Sequence, residues 1–131
     1  MPMDPELRSF ATSDNFAALT TLFPDGQPQT QVMWIDADDD HLLINTQDDR
    51  AKYRNMRQDP RVTVAIWEAG NPYRYLEVRG RVVDEVRGDE AMAQLDACSY
   101  RYRGTAYDRS RITGERVVMK ITPQRIHRRG F

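Results

Sequence analysis

Five cationic side chains lie within twelve residues of the segment 45–61, NTQDDRAKYRNMRQDPR. They are Arg50, Lys52, Arg54, Arg57 and Arg61. The segment predicts a two-turn helix that begins near Arg50 and ends at Asp59, because the residue before a proline disfavours helical dihedral angles. Arg50 and Lys52 would lie in the first turn, where the helix dipole and free backbone N–H groups are already positive. A bound phosphate or carboxylate would reverse this repulsion, so the pattern predicts an anion subsite.

A solvated basic face is an equally open interpretation of this cluster. Arg54 and Arg57 would then pair with Asp48, Asp49 or Asp59. Each exposed pair would contribute well under about 1 kcal/mol of stability. Charge alone does not separate the two interpretations.

The composition narrows the choice of partners. The chain has 131 residues with 19 basic and 20 acidic side chains, which gives a formal net charge of −1. This balance gives no general attraction to nucleic acid or to an anionic membrane, and Tyr53, the one aromatic residue inside the basic cluster, is too little for single-strand stacking, so neither is the expected partner. The lone Cys98, with His41 and His127 far apart, predicts no internal disulfide and no structural zinc site.

The length predicts one domain over residues 1–131. The sequence contains no apolar run of the roughly 18 to 20 residues that a membrane span requires, and the first ten residues lack a signal-peptide pattern. We therefore expect a soluble cytoplasmic protein.

Six segments have the composition of β-strands, and the gaps between them predict helices. The strands are expected at residues 16–23, 29–36, 42–46, 61–68, 73–84 and 116–122, with the last one ended by Pro123. Helices are expected from Pro5, from Arg50 with Asp48 or Asp49 as the cap, and over residues 89–102. This order predicts a mainly β fold, a small antiparallel barrel with helical decorations.

Two further patterns concern packing. Ala91, Leu95, Cys98 and Tyr102 recur at the spacing of one helix face, which predicts an amphipathic helix. Gly80, inside the predicted fifth strand, indicates a bulge or a close backbone contact.

Several motifs, taken together, resemble a known family. The sequence PDGQP is followed by NTQDDRAKYRNMRQDPR, by NPYRYLEVRGRVV and by the tail GERVVMKITPQRI. Their order is similar to that of the split-barrel, FMN-binding superfamily that contains the pyridoxamine 5′-phosphate oxidases. In detail they resemble the actinobacterial reductases that use the deazaflavin coenzyme F420, and the spacing of RAKYRNMRQDPR and NPYRYL is the most specific part of the match.

The resemblance implies a six-stranded split-barrel homodimer with cofactor sites at the subunit interface. It implies that Arg50, Lys52 and Asn55 hold the cofactor phosphate or the carboxylates of the F420 tail, with Asn45 and Thr46 lining the approach. The remaining implied cofactor contacts are Gln31, Val32, Met33 and Trp34 along the ring, and Tyr73, Arg74 and Tyr75 from the other subunit. For Trp34 and Trp67, ordinary barrel packing is the competing interpretation.

No serine, cysteine or histidine lies in a recognisable arrangement for nucleophilic catalysis, so the cofactor would supply the chemistry. The resemblance implies an oxidoreductase in which reduced F420 passes a hydride to an electron-poor carbon of an unsaturated small molecule. An FMN enzyme of the pyridoxamine oxidase type is an alternative. We expect it less because the W-x-x-x-R-L-x-P segment of those enzymes is missing. A protein that carries F420, flavin or haem without turnover is the second alternative.

Overall fold

Seven β-strands and three α-helices form the structure of residues 2–131, the part of the chain that a computed structural model describes. The strands are β1 (Phe16–Leu22), β2 (Pro28–Trp34), β3 (Asp36–Ala37), β4 (Leu42–Gln47), β5 (Arg61–Glu68), β6 (Asn71–Arg87) and β7 (Arg116–Arg129). The helices are α1 (Pro5–Ala11), α2 (Ala51–Gln58) and α3 (Asp89–Arg103), with a short 3-10 turn at Arg109–Arg111. None of the helices within residues 2–131 has the length and apolar character needed to cross a membrane.

All seven strands join one antiparallel sheet, in the order β2-β1-β5-β6-β7-β4-β3. The two edge strands, β2 and β3, are consecutive in the chain and are separated by the fully buried Ile35. The sheet therefore curls until its edges meet at Ile35, which closes an antiparallel barrel. The expected barrel is confirmed. The expected count of six strands is wrong, because residues 29–36 divide at Ile35 into β2 and β3 instead of forming one strand.

The core follows the two-residue period of the strands. Val62, Val64 and Ile66 of β5 are buried, and the residues between them are partly exposed. On β6, the buried Leu76 and Val78 pair with Ile66 and Val64 and continue the same layer. Each such side chain contributes about 1.5 to 3 kcal/mol by leaving water, and this fixes which face of the sheet is turned inward.

The amphipathic helix expected over residues 89–102 is confirmed as α3. Ala91, Leu95 and Cys98 are buried, whereas Tyr102 is half-buried. Ala91 packs with Leu43 and Val118 in a second apolar cluster. This packing places α3 against β4 and β7, the two strands that carry the polar residues described below.

Pro123 does not end the last strand, contrary to expectation. β7 runs through it to Arg129, and the register with β6 shifts where Pro123 lies opposite Gly80. A proline lacks the N–H group of a ladder hydrogen bond, but such a register shift accommodates it. The expectation for Gly80 is confirmed, because a Cβ atom there would lie 2.6 Å from the backbone oxygen of Thr122.

The expected cap of α2 is wrong. Arg50 occupies the N-cap position, and among the described residues no side chain accepts a hydrogen bond from the first turn. Asp48 instead accepts from the backbone N–H of Glu115 at 3.0 Å, and Asp49 accepts from the Thr113 hydroxyl at 2.7 Å. Both carboxylates hold the loop before β7, so α2 begins without the acidic cap that its sequence offers. The helix ends at Asp59 as expected.

Candidate cofactor-binding site

Two adjoining pockets that share three lining residues form a cleft beside α3 and the loop that follows it. The apolar pocket has a volume of about 330 Å³, and its walls include Phe16, Val32, Met33, Trp34, Leu43 and Leu95. The cationic pocket has a volume of about 510 Å³, and its lining includes Gln29, Gln31, Thr46, Arg50, Ala51 and Lys52. Asn45, Tyr107 and Arg116 line both pockets, so they mark the junction.

The cationic pocket lies at the amino end of α2. The Lys52 ammonium donates to the side-chain oxygen of Gln31 on β2 at 3.1 Å, which holds it over the pocket. The Arg50 guanidinium approaches Asp49 at 3.7 Å, a long contact between half-exposed groups. Because the first turn of α2 also lacks a side-chain cap within residues 2–131, its backbone N–H groups add to the positive field.

Three cations raise one another's electrostatic energy around this pocket. Burial, followed by the charges of Arg50 and Arg116, lowers the pKa of Lys52. Burial is also the main cause that lowers the pKa of Arg116, and the charge of Arg50 adds to it. Asp49 lines the same pocket and offsets part of this positive charge, but its carboxylate also accepts from Thr113, so the geometry favours a phosphate or carboxylate here.

The other cations of the basic segment have different partners. Arg57 pairs with Glu85 at 2.7 Å, and Arg61 pairs with Asp59 at 2.7 Å. Arg54 donates to the backbone oxygen of Asp49. The expected ion pairs of Arg54 and Arg57 with Asp48, Asp49 or Asp59 are therefore wrong in detail. The segment divides into a structural half and a half that lines the pocket.

Aromatic side chains form the wall of the apolar pocket. Trp34 stacks on Tyr102 with ring centroids 5.3 Å apart and an interplanar angle of 4°. Tyr107 meets Trp34 edge to face at 6.1 Å. Phe16 also contacts Tyr102, at 5.4 Å. Trp34 thus packs against Tyr102 and also lines the pocket. The wall offers an apolar surface suited to a flat ring.

A chain of hydrogen bonds positions the residues at the junction. The Asn45 amide donates to the Ala91 carbonyl at 2.9 Å and to the Gln94 side-chain oxygen at 2.8 Å. The Asn45 oxygen accepts from Nε of Arg116 at 2.8 Å. The Arg116 guanidinium also lies over the Tyr107 ring, 5.2 Å from its centroid. Arg116 is therefore held between the two pockets without a carboxylate in hydrogen-bond contact among the described residues.

Asn55 lies apart from the other α2 residues proposed for the site. Its side chain is buried and donates to the Thr21 hydroxyl at 3.0 Å. That contact attaches α2 to β1, so in this chain Asn55 positions the helix and lies outside both pockets. Thr46, by contrast, is buried and lines the cationic pocket.

The three residues expected from a second subunit lie outside both pockets of their own chain. Arg74 pairs with Glu68 at 3.2 Å, and its guanidinium lies 4.0 Å from the Phe131 ring centroid. Tyr75 lies 6.4 Å from the ring of His127, and Tyr73 is 77% exposed. Their role at a neighbouring chain stays a prediction.

The buried Cys98 thiol is not a suitable nucleophile. Burial, together with the charge of Asp36, raises its pKa to about 11. At pH 8 only about one thiol in a thousand would be ionised, so we expect reaction with a disulfide reagent to be slow in the folded protein. Denaturant should release one rapidly reacting thiol per chain. Fast stoichiometric reaction without denaturant would contradict this assignment.

A comparison with family models decides the relationship that the fold and cleft suggest. The model described as pyridoxamine 5′-phosphate oxidase matches residues 3–130, almost the whole chain. The chain belongs to the pyridoxamine 5′-phosphate oxidase family. Its curled seven-stranded sheet is this family's split barrel. No curated protein gave a significant sequence match.

Solved structures of this family's fold include one with a stated activity. A structure named F420 reductase is 33% identical, covers 97% of this chain and 98% of its own, and superposes with a TM-score of 0.81. The conserved hypothetical protein Rv2991 from Mycobacterium tuberculosis is 25% identical, with 98% and 85% coverage and a TM-score of 0.77. HutZ, the haem storage protein from Vibrio cholerae, is 17% identical, with 100% and 97% coverage and a TM-score of 0.70, and it shows the shared fold alone.

In this family member, the cleft residues that sequence reasoning missed include Arg116, Tyr107 and Gln94. Arg116 opens β7 and pairs with Gln47 at the end of β4, one position from Thr46. Pairing the last predicted strand with the strand before the basic helix would therefore have located it. Tyr107 lies in an irregular loop, where periodicity carries no information.

Proposed function

We propose that this protein is an F420-dependent reductase that transfers a hydride to an electron-poor, unsaturated small molecule. The observation that carries the proposal is that an apolar, aromatic-walled pocket adjoins a cationic pocket, with Asn45, Tyr107 and Arg116 lining both. A cofactor with a flat ring and an anionic tail has this division of chemistry. The full-length similarity to an F420 reductase at 33% identity supports F420 over FMN.

The proposed roles follow from the cleft. Arg50, Lys52 and the N–H groups of α2 would bind the anionic part of the cofactor, and Arg116 would reach it from the junction. Gln31, Val32, Met33 and Trp34 on β2 would lie along the ring and offer backbone groups to its polar edge. These contacts orient the cofactor and exclude water, which alone can lower a barrier by several kcal/mol, as a rough estimate. No side chain is assigned as a catalytic acid or base.

When bound, reduced F420 would supply the hydride, and water or a nearby tyrosine would return a proton. Turnover tests the proposal. Protein mixed with reduced F420 and a simple cyclic enone should oxidise the cofactor catalytically, with stoichiometric saturation of the enone double bond. Stable F420 binding with no oxidation across a panel of enones would favour a carrier. Turnover with FMN and oxygen instead would favour an oxidase.

We further propose a homodimer in which each cleft is completed by Tyr73, Arg74 and Tyr75 of the other chain. The exposed apolar surface supports this: Val32 on β2 is 64% exposed and Phe16 is 39% exposed, and both line the apolar pocket. A second chain placed there would cover them and narrow the cleft.

Mixing two defective variants tests the shared site. We expect Lys52→Gln and Tyr73→Ala each to bind F420 weakly when alone. After the two variants are refolded together, half of the dimers should be mixed, and each mixed dimer should have one intact site of its two. About a quarter of the normal number of F420 sites should therefore be recovered. Sedimentation equilibrium should give twice the chain mass. A monomer, or a mixture without recovery, would contradict the shared site.

The lowered pKa of Lys52 predicts how F420 affinity depends on pH. Burial first, and then Arg50 and Arg116, disfavour its charged form, whereas a bound anion favours it. Binding therefore takes up a proton once the pH exceeds the free-state pKa, and affinity falls from there until the bound-state pKa is passed. Titrations that rise from neutral pH toward the ordinary pKa of lysine should show the onset of this decline, and Lys52→Gln should remove it. An identical decline in the variant would contradict the assignment.

A further inference from the structure

A second group of cations, from the end of α3 and the 3-10 turn, lines the cleft. Arg103 and Arg111 both line the apolar pocket, whereas Arg50 and Lys52 line the cationic one. Among residues 2–131, neither Arg103 nor Arg111 makes a side-chain hydrogen bond or ion pair within the usual distance limits. The apolar pocket thus has two arginines without a partner among the described residues, and neither of them lines the cationic pocket.

The local structure fixes where this pair stands. Arg103 is the last residue of α3, before Gly104 in the left-handed conformation. Arg109, on the 3-10 turn, forms a fork onto Asp96 of α3 with an Nη2–Oδ2 distance of 2.8 Å. Asp96 also accepts from the backbone N–H of Tyr107 at 3.0 Å. These bonds hold the loop against α3 and place Arg111, which ends the turn, at the pocket.

The fold alone accounts for part of this arrangement. The dipole of α3 favours a cation at its carboxyl end, which explains the position of Arg103. It does not explain a second cation at Arg111. Asp108 is a nearby carboxylate, and it accepts from both the backbone N–H and the hydroxyl of Ser110, at 3.0 and 2.7 Å. Those two bonds, followed by the charges of Arg111 and Arg103, lower the pKa of Asp108. Asp108 is a single carboxylate and is already hydrogen-bonded to Ser110, so the two guanidinium groups keep an excess of positive charge.

We propose that Arg103 and Arg111 bind a carboxylate on the substrate. The substrate would then be a small unsaturated acid, with its apolar body stacked on the open face of the cofactor ring and its carboxylate at the pair. A guanidinium matches a carboxylate with two parallel hydrogen bonds, and two guanidinium groups at one place add to that attraction. This inference rests on the proposed function, which it deepens by naming the substrate class.

The carboxylates in the tail of F420 have the same chemistry as a substrate carboxylate, so the experiment must separate the two sources. The double variant Arg103→Gln/Arg111→Gln removes the pair. The matched control is Arg81→Gln/Arg125→Gln, which removes the same charge from two exposed arginines that lie outside the cleft. Thermal unfolding of both variants should stay close to that of the wild-type protein, because all four side chains are exposed.

The first measurement needs no F420 and is therefore independent of the proposed function. Calorimetric titration with trans-cinnamate, and with cinnamamide as its uncharged counterpart, should show saturable binding of cinnamate to the wild-type protein. The Arg103/Arg111 variant should bind cinnamate about tenfold more weakly or worse, with cinnamamide unchanged and with the control variant like wild type. No saturable cinnamate binding to the wild-type protein, an equal loss for cinnamamide, or an equal loss in the control would overturn the proposal.

The second measurement separates substrate from cofactor. F420 affinity should be the same, within about twofold, in the wild-type protein and in the Arg103/Arg111 variant. A variant that loses F420 affinity while cinnamate binding is intact would assign the pair to the cofactor tail and overturn the proposal. If no protein bound F420 while the cinnamate pattern held, the carboxylate site would stand and the proposed reductase would fail.

Discussion

The double variant Arg50→Gln/Lys52→Gln should bind F420 at least about a hundredfold more weakly than the wild-type protein. Each residue would lose a charge-assisted contact worth about 1.5 to 3 kcal/mol, and Lys52→Ala alone should cost about 1 to 3 kcal/mol. The same change should leave the ligand-free protein at least as stable, because it removes two cations that repel each other and Arg116. Fluorescence titration and thermal unfolding give the two readouts.

The matched control for this prediction removes equal charge elsewhere. Arg54→Gln/Arg81→Gln keeps the helix and the net charge of the test variant, but both changed side chains are exposed and outside the cationic pocket. It should bind F420 almost as the wild-type protein does. An equal loss of F420 affinity in the test and control variants would mean that general electrostatic attraction causes the effect. No loss of affinity in either variant would contradict the anion site.

Gly80→Val should destabilise the fold by at least about 3 kcal/mol, because a side chain there would overpack the barrel. A Cβ atom at this position would lie 2.6 Å from the Thr122 carbonyl oxygen and 2.9 Å from a methyl group of Ile121. The first of these is backbone and cannot turn aside, so β6 and β7 would have to separate at their register shift. Val83→Thr on the same strand, where the side chain is 55% exposed, is the control and should change stability by about 0.5 kcal/mol or less. Urea denaturation measures both, and a Gly80→Val loss below about 1 kcal/mol would contradict the close-contact explanation.

Most of the helices and strands could be assigned from local sequence patterns. Alternation fixed β5 and the inner face of β6, and helical spacing fixed the buried face of α3. The errors arose where a distant segment overrode a local preference. Pro123 ends a strand by its own chemistry, but opposite Gly80 it lies in a register shift that allows β7 to continue. Asp48 and Asp49 are good caps, but the loop before β7 engages both of them.

The cations of the candidate site could be predicted from the sequence, but the full set of residues that line it could not. The cations at the amino end of α2 contradict a local rule, and such contradictions are expected at functional sites, so Arg50 and Lys52 could be proposed from the sequence. Asn55 belongs to the same motif, yet its side chain faces β1. A helix of two turns has too few residues for their spacing to show in which direction each side chain points. Arg116 and Tyr107 come from distant parts of the chain, and the cleft brings them together only after β7 pairs with β4.

Side-by-side titration of F420 and FMN into cofactor-free protein tests the central claim most directly. The account predicts saturable binding of F420 with one site per chain, at least about tenfold tighter than FMN, and its loss in Arg50→Gln/Lys52→Gln. FMN binding as tight as that of F420, or F420 binding that is unaffected when the two cations are removed, would contradict it.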